Sequence, residues 1–216
     1  IEFTNWISQG ENSYEFRLIK HLDEVQTADG VIPVGSLEFV SGFLRRFYNV
    51  IPKPLNIPEA LRKEEFLKRR VFLFNPTKDQ VQDQNKYFVK SCEVAKEYTE
   101  LVRLSDIPKE DKDYLVSEEV KDIICEYRCF VLNDKLIDIR RYIGDPEEIS
   151  YTPDLDTIKK AIETYKGKSR AYTLDVGVNK DLGTFIIELH NFWSCGLYGF
   201  SSPSKLIAMT IHGFET

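Results

Sequence analysis

The hydrophobic rhythm of the chain changes twice, from a helical period to an alternating one near Val71 and back to a mixed pattern near residue 154. Residues 13–27 carry Phe16, Ile19, Leu22 and Val25 at spacings of three, which predicts an amphipathic helix. Gly30 ends it, residues 31–34 read as a short strand, and Gly35-Ser36 opens a second helix. Ser36 is its N-cap, and Leu37, Val40, Phe43, Leu44 and Phe47 line one face. Pro52 and Pro54 break the chain, and Pro58 suits the first turn of a further helix running to Leu67. From Val71 the period is two: Val71–Phe74, residues 87–89, 101–104 and 114–116 read as strands. Residues 125–132 and 135–143 alternate about Asn133-Asp134, a two-residue hairpin signal. Residues 154–166 return to helical spacing through Leu155, Ile158, Ile162 and Tyr165, with Gly167 as C-cap. Residues 171–178 and 183–190 form a last hairpin, and 201–213 a closing helix. Strands in antiparallel pairs with helices between them predict an α+β fold, not a parallel doubly wound sheet.

The last hairpin carries the most informative chemistry. Its loop, Asn179-Lys180-Asp181-Leu182-Gly183, is polar and ends in Gly. If the strands pair symmetrically about it, Asp175 faces Glu188 at roughly 5 Å, and His190 shares that face. Two opposed carboxylates repel unless a positive charge lies between them. A hard divalent cation such as Mg²⁺, with phosphate oxygens as further ligands, fills that role. An acidic, solvated sheet face gives the same pattern.

A chain of 216 residues can bury one large core or two or three small lobes. The net charge of −6 argues against a nucleic-acid surface, and the local basic run RKEEFLKRR at 62–70 reads as the solvated face of a helix. Cys92, Cys125, Cys129 and Cys195 lack zinc-site spacing and read as reduced thiols of a cytosolic protein. No apolar run approaches the roughly 18 residues of a membrane span, and no signal-peptide pattern opens the chain. It begins at Ile1 rather than Met, as expected of a sequence that lacks its native N-terminus. His21 and His212 read as ordinary helix residues.

Three further pieces point to a nucleoside triphosphate. A GxxxxGKS or GxxxxGKT loop is absent, which excludes a P-loop. Lys90 ends an apolar strand, where its ammonium can reach phosphate, and Lys96 follows it. A lysine at a strand end also simply reaches water. The segment VSEEV at 116–120 runs from an apolar strand into acidic residues: an extended hinge there offers backbone groups to an adenine edge, and a carboxylate can accept from ribose hydroxyls. Glu126 and Arg128 share one strand face, as a phosphate-binding pair or as a plain ion pair.

In order along residues 66–199, FVKS, VSEEV, EYR, LDV and IIELHNF resemble the ATP-grasp superfamily. FVKSCEVAK, EYRCFVLNDKLIDIRRYIGD and IELHNFWSCGLYGF are similar to a clade of small ATP-grasp proteins encoded by phages and bacteria. The resemblance implies an ATP-grasp fold: a shortened α/β lobe over residues 1–65, then lobes 66–116 and 117–216 whose antiparallel sheets clasp Mg·ATP. It places Lys90 and Lys96 on phosphates, Glu119 and Val120 beside adenine, and Glu126 on ribose. Arg128 and Arg140 face phosphate or substrate, and Asp175 and Glu188 ligate Mg²⁺ with His190 or Asn191 as third ligand. The superfamily usually has Glu-x-Asn where this chain has Glu188-Leu189-His190-Asn191, and a bulge at the strand end would turn Asn191 inward. In an undistorted hairpin Arg141, not Arg140, shares the face of Glu126 and Arg128, and the loop after Lys90 lacks the usual glycines. The implied activity is an ADP-forming carboxylate–amine ligase working through an acyl phosphate. Its substrates would be ATP, a carboxylate and an amine acceptor such as a peptide, and its location a bacterial or phage-host cytoplasm, with no nucleic acid or membrane partner. A small-molecule phosphotransferase on the same fold, or a non-catalytic nucleotide-binding protein, would share these residues.

Overall fold

The alternating segments become two four-stranded antiparallel sheets. The computed structural model describes residues 15, 17–81, 84–94, 97–165 and 169–214. The first sheet holds β1 (Val71–Phe74), β2 (Lys86–Ser91), β3 (Thr99–Arg103) and β4 (Tyr114–Ser117), in the order β1-β4-β2-β3. The second holds β5 (Ile123–Leu132), β6 (Lys135–Gly144), β7 (Ala171–Asn179) and β8 (Gly183–Asn191), in the order β6-β5-β7-β8. Four α-helices accompany them among the described residues: α1 (Leu37–Tyr48), α2 (Glu64–Leu67), α3 (Leu155–Tyr165) and α4 (Pro203–His212). None is long and apolar enough to cross a membrane.

Each sheet buries one face in a core of its own, and parts of the opposite faces are covered as well. In the first, Phe74, Tyr87, Val89, Tyr114 and Val116 pack on Leu104 and Ile107. In the second, Cys125, Tyr127, Cys129, Leu174, Val176, Ile186 and Leu189 pack against Ile158 and Ile162 of α3 and Phe66 and Leu67 of α2. At one end of the second sheet Phe130 joins Phe192, Phe200 and the α4 residues Leu206 and Met209. The four cysteines are free thiols.

Asn133 and Asp134 both have positive φ, 49° and 58°, as the tight β5–β6 turn demands. The ladders of the second sheet are irregular in four places, one of them in β5–β7, where Ile124 is the extra residue. In β5–β6, register shifts leave Ile137 and Tyr142 without partners and set Arg128 opposite Arg140. Arg140, rather than the Arg141 expected of an undistorted hairpin, thereby joins the face of Arg128. In β7–β8, Val176 pairs Ile186 but Asp175 pairs Glu188, so Ile187 is an extra residue. Symmetric pairing about the loop thus holds only beyond that bulge.

The helical first third departs from expectation. The described part of 13–27 forms one 3₁₀ turn, Leu22–Glu24, instead of a helix. Leu22 lies against Gly42 of α1 while Leu18 stays exposed, so the segment has no continuous apolar face to sustain a short helix. Residues 31–34 pair with neither sheet. Pro58 precedes a 3₁₀ turn, Glu59–Leu61, and α2 is a separate single turn. The run 62–70 is not a solvated helix face, because Arg69 is drawn into the structure (below). The second helix is as read: Ser36 Oγ accepts from the Phe39 N–H at 3.2 Å, and Asn49 closes α1 at φ 54°. Lys166 and Gly167 lie outside the described residues.

Gly177 of β7 is paired with Phe185, and a Cβ there would stand 2.6 Å from the Phe185 ring. Gly177→Ala is expected to lower the unfolding free energy by about 1–3 kcal/mol, the cost of overpacking. Urea unfolding checks this, and an unchanged midpoint would show that the ring is free to move aside.

Candidate functional site

The open face of the second sheet gathers charge around Asp175, which is fully buried. Arg128, opposite it on β5, donates from Nε to Oδ1 at 2.8 Å and from Nη2 to Oδ2 at 2.6 Å. This fork is the strong form of a charged hydrogen bond. Burial works against the guanidinium charge, but the Asp175 contacts outweigh it and raise the Arg128 pKa further. Its remaining Nη1 donates to the Gly196 carbonyl at 3.0 Å. The Tyr142 and Tyr198 rings stack at 4.9 Å, with the Arg128 guanidinium 5.4 and 5.0 Å from their centres. The Tyr142 hydroxyl donates to Glu126 Oε2 at 2.6 Å and lies 3.2 Å from Asp175 Oδ2. Burial pushes the Glu126 carboxyl above its ordinary value; the Tyr142 bond opposes this and the neighbouring Asp175 and Glu188 charges add to it.

Glu188 stands across from Asp175 on β8 and reaches the other sheet: Lys90 Nζ of β2 is 3.4 Å from its Oε2. His190 Nε2 lies 2.9 Å from Glu188 Oε1 and 3.6 Å from Asp175 Oδ2, yet is aligned for a hydrogen bond with neither. Burial alone would raise the Glu188 carboxyl, but His190 and Lys90 hold it down at about 2. For His190, burial disfavours the charge and the two carboxylates overcome it, so its pKa is raised. Ligating atoms of Asp175, Glu188 and His190 all lie within 4.8 Å of one another. Two carboxylates on adjacent strands offer the oxygen donors that Mg²⁺ prefers, so the site fits that ion through Asp175 and Glu188. The buried, unaligned Nε2 of His190 sits between those carboxylates as a cation would, and as an imidazole it suits Mg²⁺ poorly.

The structure thus brings Lys90, Glu126, Arg128, Asp175, Glu188 and His190 together. Arg140 is beside them, its Nε on Asp138 Oδ2 at 2.9 Å and its side chain about one-third exposed. Glu119 and Val120 lie in the link between β4 and β5, with Glu119 exposed. Lys96 lies outside the described residues. Asn191 does not turn towards the carboxylates: the bulge falls at Ile187 rather than at the strand end, so alternation carries Asn191 to the other side. There its Nδ2 donates to the Lys53 carbonyl at 3.2 Å, at the wall of a largely apolar cavity of about 960 Å³ shared with Trp193 and Phe214.

Three participants are not apparent from spacing. Tyr142 reaches the site only because it is bulged out of β6. Tyr198 has φ 47°, a costly conformation for an aromatic residue, and its ring covers Gly196, whose missing Cβ makes the room. The glycines flanking it in GLYG are the available signal. Arg69 hides in a run of basic residues.

Residues 66–207 match the model of an ATP-grasp domain family, described as family 2 of its clade. No curated protein sequence matches the chain. Among solved structures, D-alanine–D-alanine ligase from Bacillus anthracis aligns with a TM-score of 0.51 at 16% identity, covering 81% of this chain and 74% of that one. The same ligase complexed with ATP aligns at 0.48 and 18% identity, covering 83% and 74%. The macrocyclase MdnC bound with precursor peptide MdnA, from Microcystis aeruginosa MRC, aligns at 0.46 and 14% identity, and here the alignment covers 73% of this chain but only 57% of the macrocyclase. At 16% identity the first of these likenesses speaks to the fold alone. The family match spans most of the chain and contains both sheets with every charged residue gathered above, and the chain belongs to the ATP-grasp family.

Proposed function

We propose that this protein binds Mg·ATP in the cleft between its two sheets and catalyses an ADP-forming carboxylate–amine ligation through an acyl phosphate. The observation that carries the reading is the meeting of Lys90 from one sheet with Glu188, which stands opposite Asp175, in the other. In this reading lobes 66–116 and 117–216 close on the nucleotide. Lys90 exchanges Glu188 for phosphate oxygens, and the backbone at Glu119 and Val120 flanks adenine. Glu126 accepts from ribose hydroxyls, and the exposed end of Arg140 faces the carboxylate substrate or the phosphate passed to it. Arg128, locked on Asp175, orients that carboxylate and adds positive charge near the transferred group. Mg²⁺, held by Asp175 and Glu188, would supply charge neutralisation at the terminal phosphates. The substrate carboxylate attacks the γ-phosphorus, the bond to the β-phosphate oxygen breaks and ADP leaves; an amine then displaces phosphate from the acyl carbon. His190 between the carboxylates supports a second reading, nucleotide binding without turnover.

ATP with Mg²⁺ should raise the melting temperature, by an amount corresponding to about 2.7 kcal/mol at a hundredfold excess over Kd. EDTA should remove most of the rise. No shift at millimolar ATP with Mg²⁺ in differential scanning fluorimetry would sink both readings.

Glu188→Gln is expected to fold, with the loss of the stability that Lys90 and His190 contribute by pairing with this carboxylate. Turnover should fall by about two to three orders of magnitude, the scale of losing one electrostatic contact to the reacting centre. Circular dichroism with a coupled ADP assay separates the cases, and an unfolded variant would make Glu188 a structural residue.

With its acceptors present, turnover should yield ADP and phosphate. Lys90 would meet the terminal phosphoryl group, with Arg128 adding charge from behind Asp175, so transfer of that group is what the site would stabilise. Ion-exchange chromatography of the nucleotides decides between the chemistries, with AMP as the main product excluding the acyl-phosphate route.

A further inference from the structure

Arg69 belongs by sequence to a run of solvated cations, but its guanidinium makes four hydrogen bonds. It follows α2, whose Phe66 and Leu67 are buried. Its Nη1 donates to the Ile186 carbonyl at 2.7 Å and to Leu67 O at 3.1 Å. Its Nη2 donates to the Ile187 carbonyl at 3.0 Å, and its Nε to Ser117 Oγ of β4 at 2.7 Å. The guanidinium also lies 5.7 Å from the centre of the Phe185 ring. Burial lowers its pKa to about 10, with the Glu188 charge pulling the other way, so it remains charged at neutral pH.

The two carbonyls it holds are consecutive. In a regular strand consecutive carbonyls point to opposite sides, and one guanidinium at the strand edge can reach only one of them. A bulge turns two successive carbonyls the same way and leaves them outside the ladder. Ile187 is the extra residue of the β7–β8 ladder, and β8 is the outermost strand of its sheet. Arg69 therefore binds the outer rim of the very bulge that decides which residues face Asp175. Without the bulge, continuing the pairing of Val176 with Ile186 would set Ile187 against Asp175 and turn Glu188 and His190 to the buried face.

We infer that Arg69 is a positioning residue: its guanidinium pins the Ile187 bulge and so keeps Glu188 and His190 on the face of Asp175, while its Nε ties that bulge to the first sheet at Ser117. The functional consequence rests on the proposed Mg·ATP site, but the register itself does not.

The test compares wild type, Arg69→Met, an Ile187 deletion and the two changes combined. Deleting Ile187 places Glu188 opposite Asp175 in an unbroken ladder, so the pin is no longer needed. Amide hydrogen exchange on the ligand-free proteins reads the register. Arg69→Met should speed exchange across 186–191 while the β5–β6 ladder is unchanged, and the double variant should recover protection. With ATP present, Arg69→Met should weaken the apparent Mg²⁺ affinity by about 10–100-fold, the usual effect of removing a group that orients a metal ligand, and the deletion background should restore it. If Arg69→Met does not fold but the double variant folds with protected 186–191, the inference stands. Unchanged exchange in Arg69→Met, or failure of the deletion to restore protection, overturns it. If wild type shows no Mg·ATP stabilisation, the nucleotide reading fails, and the exchange data still decide the role of Arg69.

Discussion

Glu126, Asp175 and Glu188 come from three adjacent strands and share one partly buried patch, and unpaired anions in that setting would each cost several kcal/mol. The surrounding structure is the set of groups that makes the patch tolerable. Asp175, the most buried, receives the most complete partner, a two-pronged Arg128 whose third donor is taken by the Gly196 carbonyl. Glu126 receives a neutral hydroxyl and keeps a raised pKa. Glu188 accepts from Lys90 of the other sheet, and His190 on its own strand lies 2.9 Å from its second oxygen. The patch therefore draws on both sheets, and Lys90 is the group by which the first sheet brings charge to it.

The same requirement accounts for the loop after β8. Residues 196–201 cover Arg128 with the Tyr198 ring, and Ser201 fixes the loop by donating from N and Oγ to Asp138 Oδ2 at 2.8 and 3.1 Å. Asp138 also accepts from Arg140. Arg128 and Arg140 are like charges directly opposed on neighbouring strands, an unfavourable pairing unless each has its own anion. Asp175 and Asp138 are those anions, so two ion pairs lie side by side instead of two bare cations.

Strand existence was legible because period-two burial is a local property: residues such as Val89, Val116, Leu174 and Leu189 announce the core face by alternation alone. The opposition of Asp175 and Glu188 was legible as well, although the symmetric pairing assumed for it is wrong near the turn and right only past Ile187. The bulges were not legible. Nothing in IDIRRY marks Tyr142 or Ile137 as the unpaired residues, since an extra residue is stabilised by partners distant in sequence, as Arg69 does for Ile187. The choice between His190 and Asn191 stays open in the sequence for that reason, and Arg140 gains its place by the same means. In the first third, spacing at threes in 13–27 suggested a helix, but period does not say whether a surface exists to receive the apolar side.

The link from β4 to β5 is held at both ends. Asn179, at the tip of the β7–β8 hairpin, donates through Nδ2 to the carbonyls of Lys121 and Asp122 at 2.9 and 3.1 Å, and Arg69 fastens Ser117 to the β8 bulge. A swing of the first sheet, were one to occur with these bonds intact, would turn about an axle close to Ser117. Phe88 is paired with Ser117, and Lys90 is two residues further along β2. From strand spacing and rise, the Lys90 Cα is then about 8 Å from that axle. A swing of about 20° moves it only about 3 Å, within the span of a lysine side chain, while residues on β3 at the far edge sweep a wider arc. The first sheet would then act as a lever with its lysine on the shorter arm, and the flexible stem of Lys90 could follow Glu188 while the outer strand travels further.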